Sequence, residues 1–248
     1  MEYIRSQKVG NTSEICFFND KANSFTSNML KELHFELEQA KSQPEIKSIL
    51  LRSDNPKIFS AGASFDEMLA IDNIDDAIQF FSGFARVIKS MINNTKFIIT
   101  VVEGKAIGGS VGLVAASDYV VASPKAEFRL SEYAVGIGPF VIAPVIEKKT
   151  GKSPLMEMTI DTNYKSAEWA LNHNLINFLT QNPSPMEYAK DLCNQINQRS
   201  SRAMTELKSM FWEWNYWNTE ILNERAQISA KLLLTDETKE FLKTFKNK

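Results

Sequence analysis

Two short glycine-containing turns, each placed between a β-like run and a helical pattern, constrain the fold of this chain more than any other feature. The first turn, FSAGAS at residues 59–64, comes after the apolar run of residues 46–52. The second turn, GKAIGGS at residues 104–110, directly follows the run FIITVV at residues 97–102. Strands that alternate with helices in this way form a parallel or mixed sheet covered by helices. The sequence therefore predicts an α/β fold.

Amphipathic patterns fill the spaces between the predicted strands. Residues 15–18 predict an early strand, and apolar residues at helical spacing predict helices before Pro44 and over residues 74–92. The small-residue run GSVGLVAA at residues 109–116 predicts a buried helix, and short strands are expected over residues 118–122 and 127–130. The run GIGP at residues 136–139 predicts the start of a helix that ends at Gly151.

Helical patterns dominate beyond about residue 152, where the strand signals fade. The run SPME at residues 184–187 is a capping box with proline at the first helical position, which predicts a helix to about residue 199. Further helices are expected over residues 201–217, 219–234 and 236–245. Since no linker or internal repeat interrupts the chain, we predict one continuous unit, with an α/β core at residues 1–190 and a helical C-terminal part at residues 191–248.

The composition excludes several classes of function. The formal net charge is -2 and no basic run is interleaved with aromatic residues, so nucleic acid is not an expected partner. Cys16 and Cys193 form no CxxC, and His34 and His173 have no acid at ligand spacing, so we expect no disulfide, metal site or Ser-His-Asp triad. No secretory signal and no apolar run of about 20 residues is visible, which predicts a cytoplasmic protein without a membrane partner.

A lone acid, Glu132, follows the last strand of the predicted core, on a loop of the kind that often carries function. Each glycine turn can present backbone N–H groups at a helix N-terminus, where negative charge is favoured. Two such turns facing one another would form an oxyanion hole for a thioester enolate, and a nearby carboxylate could move the α-proton. Taken singly, each turn could be a plain strand-to-helix connection and Glu132 a surface carboxylate.

Taken together, these motifs resemble the crotonase, or enoyl-CoA hydratase/isomerase, superfamily over nearly the whole chain. The resemblance rests on FSAGASFDEM at residues 59–68, VEGKAIGG at residues 102–109, FRLSE at residues 128–132 and GIGP at residues 136–139. It implies a crotonase-like stack of ββα units with a helical C-terminal trimerisation part. It also implies assembly as a homotrimer or hexamer and a role in fatty acid metabolism.

The same resemblance implies the residues of the site. The backbone N–H groups of Ala63 and Gly109 would bind the thioester carbonyl, and Glu132 would be the acid/base. Further residues implied in the binding of substrate and coenzyme A are Lys21, Ala22, Ala61, Gly62 and Gly108. Coenzyme A is then a part of the acyl-CoA substrate, and no separate cofactor is expected.

Gly112 departs from the hydratases of that superfamily, which place one glutamate there and a second at the position of Glu132. Hydration uses one group to hold the water and another to exchange a proton with carbon. Members with a single acid include isomerases that shift a 3-enoyl double bond to the 2-position, and some hydratase-like or dehydratase-like relatives also lack the first acid.

The motifs and the resemblance therefore predict an acyl-CoA enzyme of the hydratase/isomerase type that stabilises a thioester enolate and uses Glu132 as its one acid/base. Hydration or dehydration of a 2-enoyl-CoA and isomerisation of a 3-enoyl-CoA are close competitors for its reaction. Three alternatives stay open at this point. They are decarboxylation or thioester hydrolysis on the same fold, with the apolar residues 138–145 lining a small acyl pocket, and a non-catalytic acyl-CoA binding module.

Overall fold

The computed structural model describes residues 1–55, 57–182, 184–214 and 217–246. Within these ranges the chain forms two sheets surrounded by helices. The strands are β1 (Glu2–Val9), β2 (Thr12–Asn19), β3 (Ser48–Ser53), β4 (Ile58–Ser60), β5 (Phe97–Val102), β6 (Lys105–Ile107), β7 (Tyr119–Ala122), β8 (Glu127–Arg129), β9 (Lys165–Ser166) and β10 (Phe178–Leu179). The helices are α1 (Ser27–Ser42), α2 (Phe65–Ala70), α3 (Ile74–Ile92), α4 (Gly109–Ala115), α5 (Ala143–Thr150), α6 (Lys152–Ile160), α7 (Ala167–Asn172), α8 (Pro185–Asn197), α9 (Ser201–Trp212), α10 (Ile221–Leu233) and α11 (Asp236–Lys246).

The chain alternates between the two sheets. The larger sheet has the order β1-β2-β3-β5-β7-β10 and is parallel except for the antiparallel pair β1 and β2. The smaller sheet has the order β4-β6-β8-β9, in which only β8 and β9 are antiparallel among the described strands. One strand of each sheet followed by a helix recurs as β3-β4-α2 and β5-β6-α4. This repeat confirms the predicted stack of ββα units.

The smaller sheet brings the motifs of the sequence to one edge. β4 and β6 occupy the first part of the two predicted turns, where the sequence did not predict strands. The glycine-containing parts at residues 61–64 and 108–110 follow these strands, and the segment that holds Glu132 follows β8. These three strands are parallel neighbours, so their carboxyl ends lie side by side. Segments far apart in sequence therefore meet at one place, as ligand sites commonly do at the carboxyl ends of parallel strands.

The larger sheet separates two apolar layers. Alternate residues of β3 face opposite sides, with Ile49 and Leu51 in the main core and Leu50 in a smaller cluster beneath α8. Cys193 of α8 is buried in that smaller cluster, whereas Cys16 is half-buried, and both are free thiols. A strand buried on both faces reads as a continuous apolar run, which is why β3 and β5 were predictable.

Long and capped elements match their predictions. α3 and β5 have the predicted bounds, and α3 begins after Asn73, whose side chain accepts a hydrogen bond from the N–H of Asp76. The capping box of α8 is present, with Ser184 and Glu187 each accepting from the other's backbone N–H. Such caps act within one turn of the chain, so they are readable from sequence alone.

Other elements differ from expectation. The helix expected from residues 136–139 begins only at Ala143, because Gly136 and Gly138 have φ of +82° and +83° and belong to an irregular turn. The helix expected over residues 201–217 ends at Trp212, where Glu213 adopts φ of +51°; residues 215 and 216 lie outside the described part. β1 was not anticipated, and neither were the two-residue strands β9 and β10 that follow residue 152.

The helical C-terminal part covers the core. α10 packs along α3, and α11 packs against α2 and the short 3-10 helix Tyr133–Val135. No helix in the described ranges is both long and apolar enough to cross a membrane. The predicted boundary after residue 190 falls within α8, and both that division and assembly into trimers stay predictions.

Candidate active site

The three segments at the edge of the smaller sheet enclose a cavity. Its empty volume is about 570 Å³, part of it continuous with solvent. Five of the predicted site residues line it, and the other lining side chains are mostly apolar. The predicted residues in the lining are Ala61, Ala63, Gly108, Gly109 and Glu132. The principal apolar walls are Phe65, Met68, Phe81, Phe84, Val135, Phe140, Val141 and Ile142.

The two glycine turns are in contact with each other. Gly62 has φ of +85°, and a Cβ at this position would lie 2.6 Å from the carbonyl oxygen of Ile107 and 3.2 Å from the nitrogen of Gly109. Gly108 has φ of +56°, and its N–H donates to the carbonyl oxygen of Arg129 at 2.8 Å. The close approach and the left-handed backbone both require glycine at residue 62.

The backbone N–H groups of Ala63 and Gly109 find no acceptor where the two turns pack together. The N–H of Phe25 donates to the carbonyl oxygen of Gly62 at 2.7 Å, and the N–H of Ser64 donates to the carbonyl oxygen of Phe25 at 2.9 Å. The N–H of Ala63, between these two residues, takes no part in this pairing. Gly109 is the first residue of α4, so its N–H has no acceptor within that helix. Neither group donates to any residue that the structure describes, and both residues line the cavity.

Glu132 lies beside the second turn. Its Oε1 is 3.0 Å from where a Cβ on Gly108 would be, so only glycine leaves room for the carboxylate there. The residue as a whole keeps some solvent exposure, but Oε2 is shielded and has no hydrogen-bond partner among the described residues. Burial raises the pKa of Glu132 to about 7, against the opposing effect of the backbone N–H groups of Glu132 and Ser131. A carboxyl group with this pKa can both accept and donate a proton near neutral pH.

In the part of the chain that the structure describes, no second acid lines the cavity with Glu132. A Cβ on Gly112 would lie 2.3 Å from Cγ2 of Ile142 and 2.7 Å from its Cβ, so the Ile142 side chain occupies the space that a side chain at residue 112 would need. Among the described residues, Glu132 is the one titratable side chain that lines the cavity.

The residues expected to bind coenzyme A form a neighbouring cluster. The carbonyl of Ala22 accepts from the N–H of Ala61 at 3.0 Å, and Ala22 itself has φ of +54°. The exposed ammonium of Lys21 pairs with Asp66 in the first turn of α2. Hydrogen bonding to Asp66 raises the pKa of Lys21. Lys21, Ala22 and Gly62 thus lie next to the cavity wall formed by Ala61 without lining it themselves.

Several lining residues were missed by the sequence analysis. Phe81 and Phe84 of α3 belong to an apolar helical face, and nothing distinguishes a wall of a cavity from a core position in such a pattern. Ser229 of α10 also lines the cavity, and no motif around it in the sequence indicated such a position. By contrast, the apolar run from residue 138 was expected to line an acyl pocket, and residues 138–142 do line the cavity.

Comparison with known proteins gives a consistent picture. The family described as enoyl-CoA hydratase/isomerase matches residues 10–248. The chain is 25% identical over 211 residues to carnitinyl-CoA dehydratase of Escherichia coli strain K12, which covers 85% of this chain and 80% of that protein. It is 26% identical over 192 residues to short-chain-enoyl-CoA hydratase of Clostridium acetobutylicum, which covers 77% and 73%. The structure is similar to that of enoyl-CoA hydratase from Bacillus halodurans, with a TM-score of 0.87, 17% identity and coverage of 98% and 99%.

Proposed function

Because the chain belongs to the enoyl-CoA hydratase/isomerase family, we propose that it converts an acyl-CoA thioester through an enolate, by shifting a 3-enoyl double bond to the 2-position. The observation that carries this proposal is the single acid. Glu132 is the one titratable side chain in the cavity wall of the described residues, and Ile142 fills the space where a second acid would stand. One base suffices when a proton leaves one carbon and returns to another.

The oxyanion hole is formed by the N–H groups of Ala63 and Gly109. Neither N–H group donates to an acceptor in the described residues, and both lie on turns that contact each other. The thioester oxygen accepts from these two groups, and the hydrogen bonds strengthen as enolate charge develops on oxygen. Such bonds lower the barrier because they favour the transition state over the bound substrate.

Glu132 carries the proton. Its carboxylate removes a proton from C2, the C2–H electrons enter the dienolate, and the double bond moves from C3–C4 to C2–C3 as C4 takes the proton back. The pKa of about 7 suits both halves of this transfer, since the group must first be a base and then an acid. No proton is lost or gained in the balance of the reaction.

Apolar walls protect the dienolate from water. Phe84, Val141 and Ile142 line the cavity, and no polar side chain that could hold a water opposite Glu132 occurs at residue 112. Coenzyme A enters as a part of the substrate and contacts the cluster of Lys21, Ala22 and Ala61 beside the cavity wall. The geometry that supports this placement is the hydrogen bond from Ala61 to Ala22, which fixes that segment against the first turn.

Hydration or dehydration of a 2-enoyl-CoA is the second candidate. The observation in its favour is that the similar proteins named above are a dehydratase and a hydratase. In this reaction Glu132 would exchange the C2 proton while a water bound by other groups added to C3. The missing acid at Gly112 makes this the weaker candidate.

The test is incubation in heavy water with the CoA esters of 3-butenoate, 2-butenoate, carnitine and malonate, with products identified by mass. We expect 2-butenoyl-CoA from the 3-butenoyl ester, with solvent deuterium at C4 to the extent that the proton on Glu132 exchanges with the heavy water before it is returned. Addition or loss of water as the main reaction would support the second candidate instead. Loss of carbon dioxide or release of the free acid as the main reaction, or binding without conversion of any ester, would contradict enolate-based isomerisation.

The oxyanion hole has its own test at Gly109. Proline there removes the N–H and should lower turnover by about 10²- to 10³-fold, while the first position of a helix accepts proline. A Cβ at Gly109 would lie 2.6 Å from the Phe84 ring, so both Gly109→Pro and the matched control Gly109→Ala are made in a Phe84→Leu background. Equal turnover of these two folded variants would rule out this donor.

A further inference from the structure

A serine from the C-terminal part of the chain lies in the cavity wall. Ser229 belongs to α10, which packs along α3, and the residue is 2% exposed. It lines the same cavity as Glu132 and Gly109. Its hydroxyl makes no hydrogen bond to any residue that the structure describes, and it has no assigned part in the proton transfer.

A fully buried hydroxyl without a partner costs about 1–3 kcal/mol, and the Oγ of Ser229 is not fully shielded, so it is open to the cavity that the residue lines. A helical serine usually avoids this cost by donating to the carbonyl four residues earlier, which Ser229 does not do. The side chains around it in the cavity, such as Phe81, Val141 and Ile142, offer no acceptor. The hydroxyl is therefore free to donate to water in the empty cavity and to an oxygen of the molecule that occupies it.

We propose that Ser229 is a specificity-determining residue that donates a hydrogen bond to a neutral oxygen on the acyl chain of the substrate. This inference rests on the proposed function, because it takes the cavity to hold the acyl group. An ether, carbonyl or hydroxyl oxygen fits this description. A second carboxylate does not, because no basic side chain of the described residues lines the cavity and Glu132 would repel it. The preferred substrates are thus oxygen-bearing acyl-CoA esters without a charge on the acyl group.

The test compares saturated CoA esters in pairs that differ by one oxygen in place of one methylene. The pairs are methoxyacetyl with butanoyl, 3-methoxypropanoyl with pentanoyl, and 4-methoxybutanoyl with hexanoyl, so that the oxygen moves along the chain. Dissociation constants are measured by calorimetry for the wild type, Ser229→Ala and Ser90→Ala. Ser90 is a matched control, a buried serine of α3 that bonds to Glu38 instead of lining the cavity.

For one of the pairs, we expect the ratio of ether to hydrocarbon affinity to be about 3- to 10-fold higher in the wild type than in Ser229→Ala, the range of one hydrogen bond. Ser90→Ala should keep the wild-type ratio. The same ratio in the wild type and Ser229→Ala for all three pairs would overturn the proposal, as would the absence of binding by every ester. A wild type that prefers the hydrocarbon in all pairs would overturn it without any variant.

Saturated esters report binding and not isomerisation, which separates this inference from the proposed function. Ether selectivity that depends on Ser229, together with no conversion of 3-butenoyl-CoA to 2-butenoyl-CoA, would contradict the proposed reaction and leave the role of Ser229 standing. Exchange and isomerisation without ether selectivity would do the reverse.

Discussion

Two carboxylates of this protein, Asp118 and Glu132, are shielded from solvent, but they differ in how many hydrogen-bond partners surround them. The Asp118 side chain is 3% exposed and forms an ion pair with Lys208 at 2.6 Å. It also accepts from the indole N–H of Trp212 at 2.7 Å and from the backbone N–H of Ile98 at 2.7 Å. Glu132 has an Oε2 with no partner among the described residues, and it lies in the wall of a cavity.

The difference teaches which buried charge is structural and which is available for chemistry. Asp118 precedes β7 and holds Lys208 and Trp212 of α9, so its hydrogen bonds attach the helical C-terminal part to the sheet. A buried pair that is fully hydrogen-bonded is costly to break but does no chemistry. An unpaired carboxyl group whose pKa is shifted by burial, in a cavity, is typical of a functional site.

The largest expected effect is on turnover, through Glu132→Gln. The amide keeps the shape of the carboxyl group but cannot accept a proton, so turnover should fall by about 10²- to 10⁴-fold. Above pH 7 the variant should also be more stable than the wild type, because an uncompensated buried charge is removed. Steady-state kinetics and urea unfolding measure the two effects. Undiminished turnover, or lost affinity for a saturated acyl-CoA, would contradict the assigned role.

The opposite outcome is expected for Asp118→Asn. This change leaves Lys208 buried without its carboxylate and should destabilise the protein by about 3–5 kcal/mol, while turnover per folded molecule stays the same. The double variant Asp118→Asn with Lys208→Met removes both charges and should recover much of the lost free energy of unfolding. If Asp118→Asn lowered turnover of the folded protein as strongly as Glu132→Gln, the division between the two carboxylates would be wrong.

The third prediction concerns the pH dependence that Glu132 should cause. Its pKa is about 7 in the folded protein against an ordinary value of 4.5, so the folded state binds more protons between these values. The stabilising effect of this proton is complete below about pH 4.5 and is lost as the pH rises through 7. Over the same interval kcat/KM should rise about tenfold per pH unit, because the ionised carboxylate is the base.

Comparison with Glu132→Gln isolates this effect. The difference in free energy of unfolding between the variant and the wild type should change with pH between about 4.5 and 7 and be constant outside that interval. A difference that is constant across the whole interval would show that the Glu132 carboxyl group has an ordinary pKa in the folded protein.

Much of the site was predictable because its backbone parts are local. Gly62, Gly108 and Gly109 were readable as turns between strands and helices, and the structure places Gly108 and Gly109 with Ala63 and Glu132 around one cavity, with Gly62 beside its wall. The functional roles of these residues and of the coenzyme A cluster stay predictions. Side chains that reach the cavity from distant helices were not predictable, because a periodic apolar face gives only the direction of burial.

The chain by itself determined the features that depend on neighbours within a few residues, namely the glycine turns, the capping box of α8, the long helix α3 and the strand β5. Only the tertiary structure decided that the Glu132 carboxylate is desolvated with one oxygen unpartnered among the described residues, whereas Asp118 is fully hydrogen-bonded. Lys208 and Trp212 reach Asp118 from a separate helix. It also placed Ile142 against Gly112 and Ser229 in the wall of the cavity. Desolvation and contact are properties of the space around an atom, and the packing of distant segments fills that space.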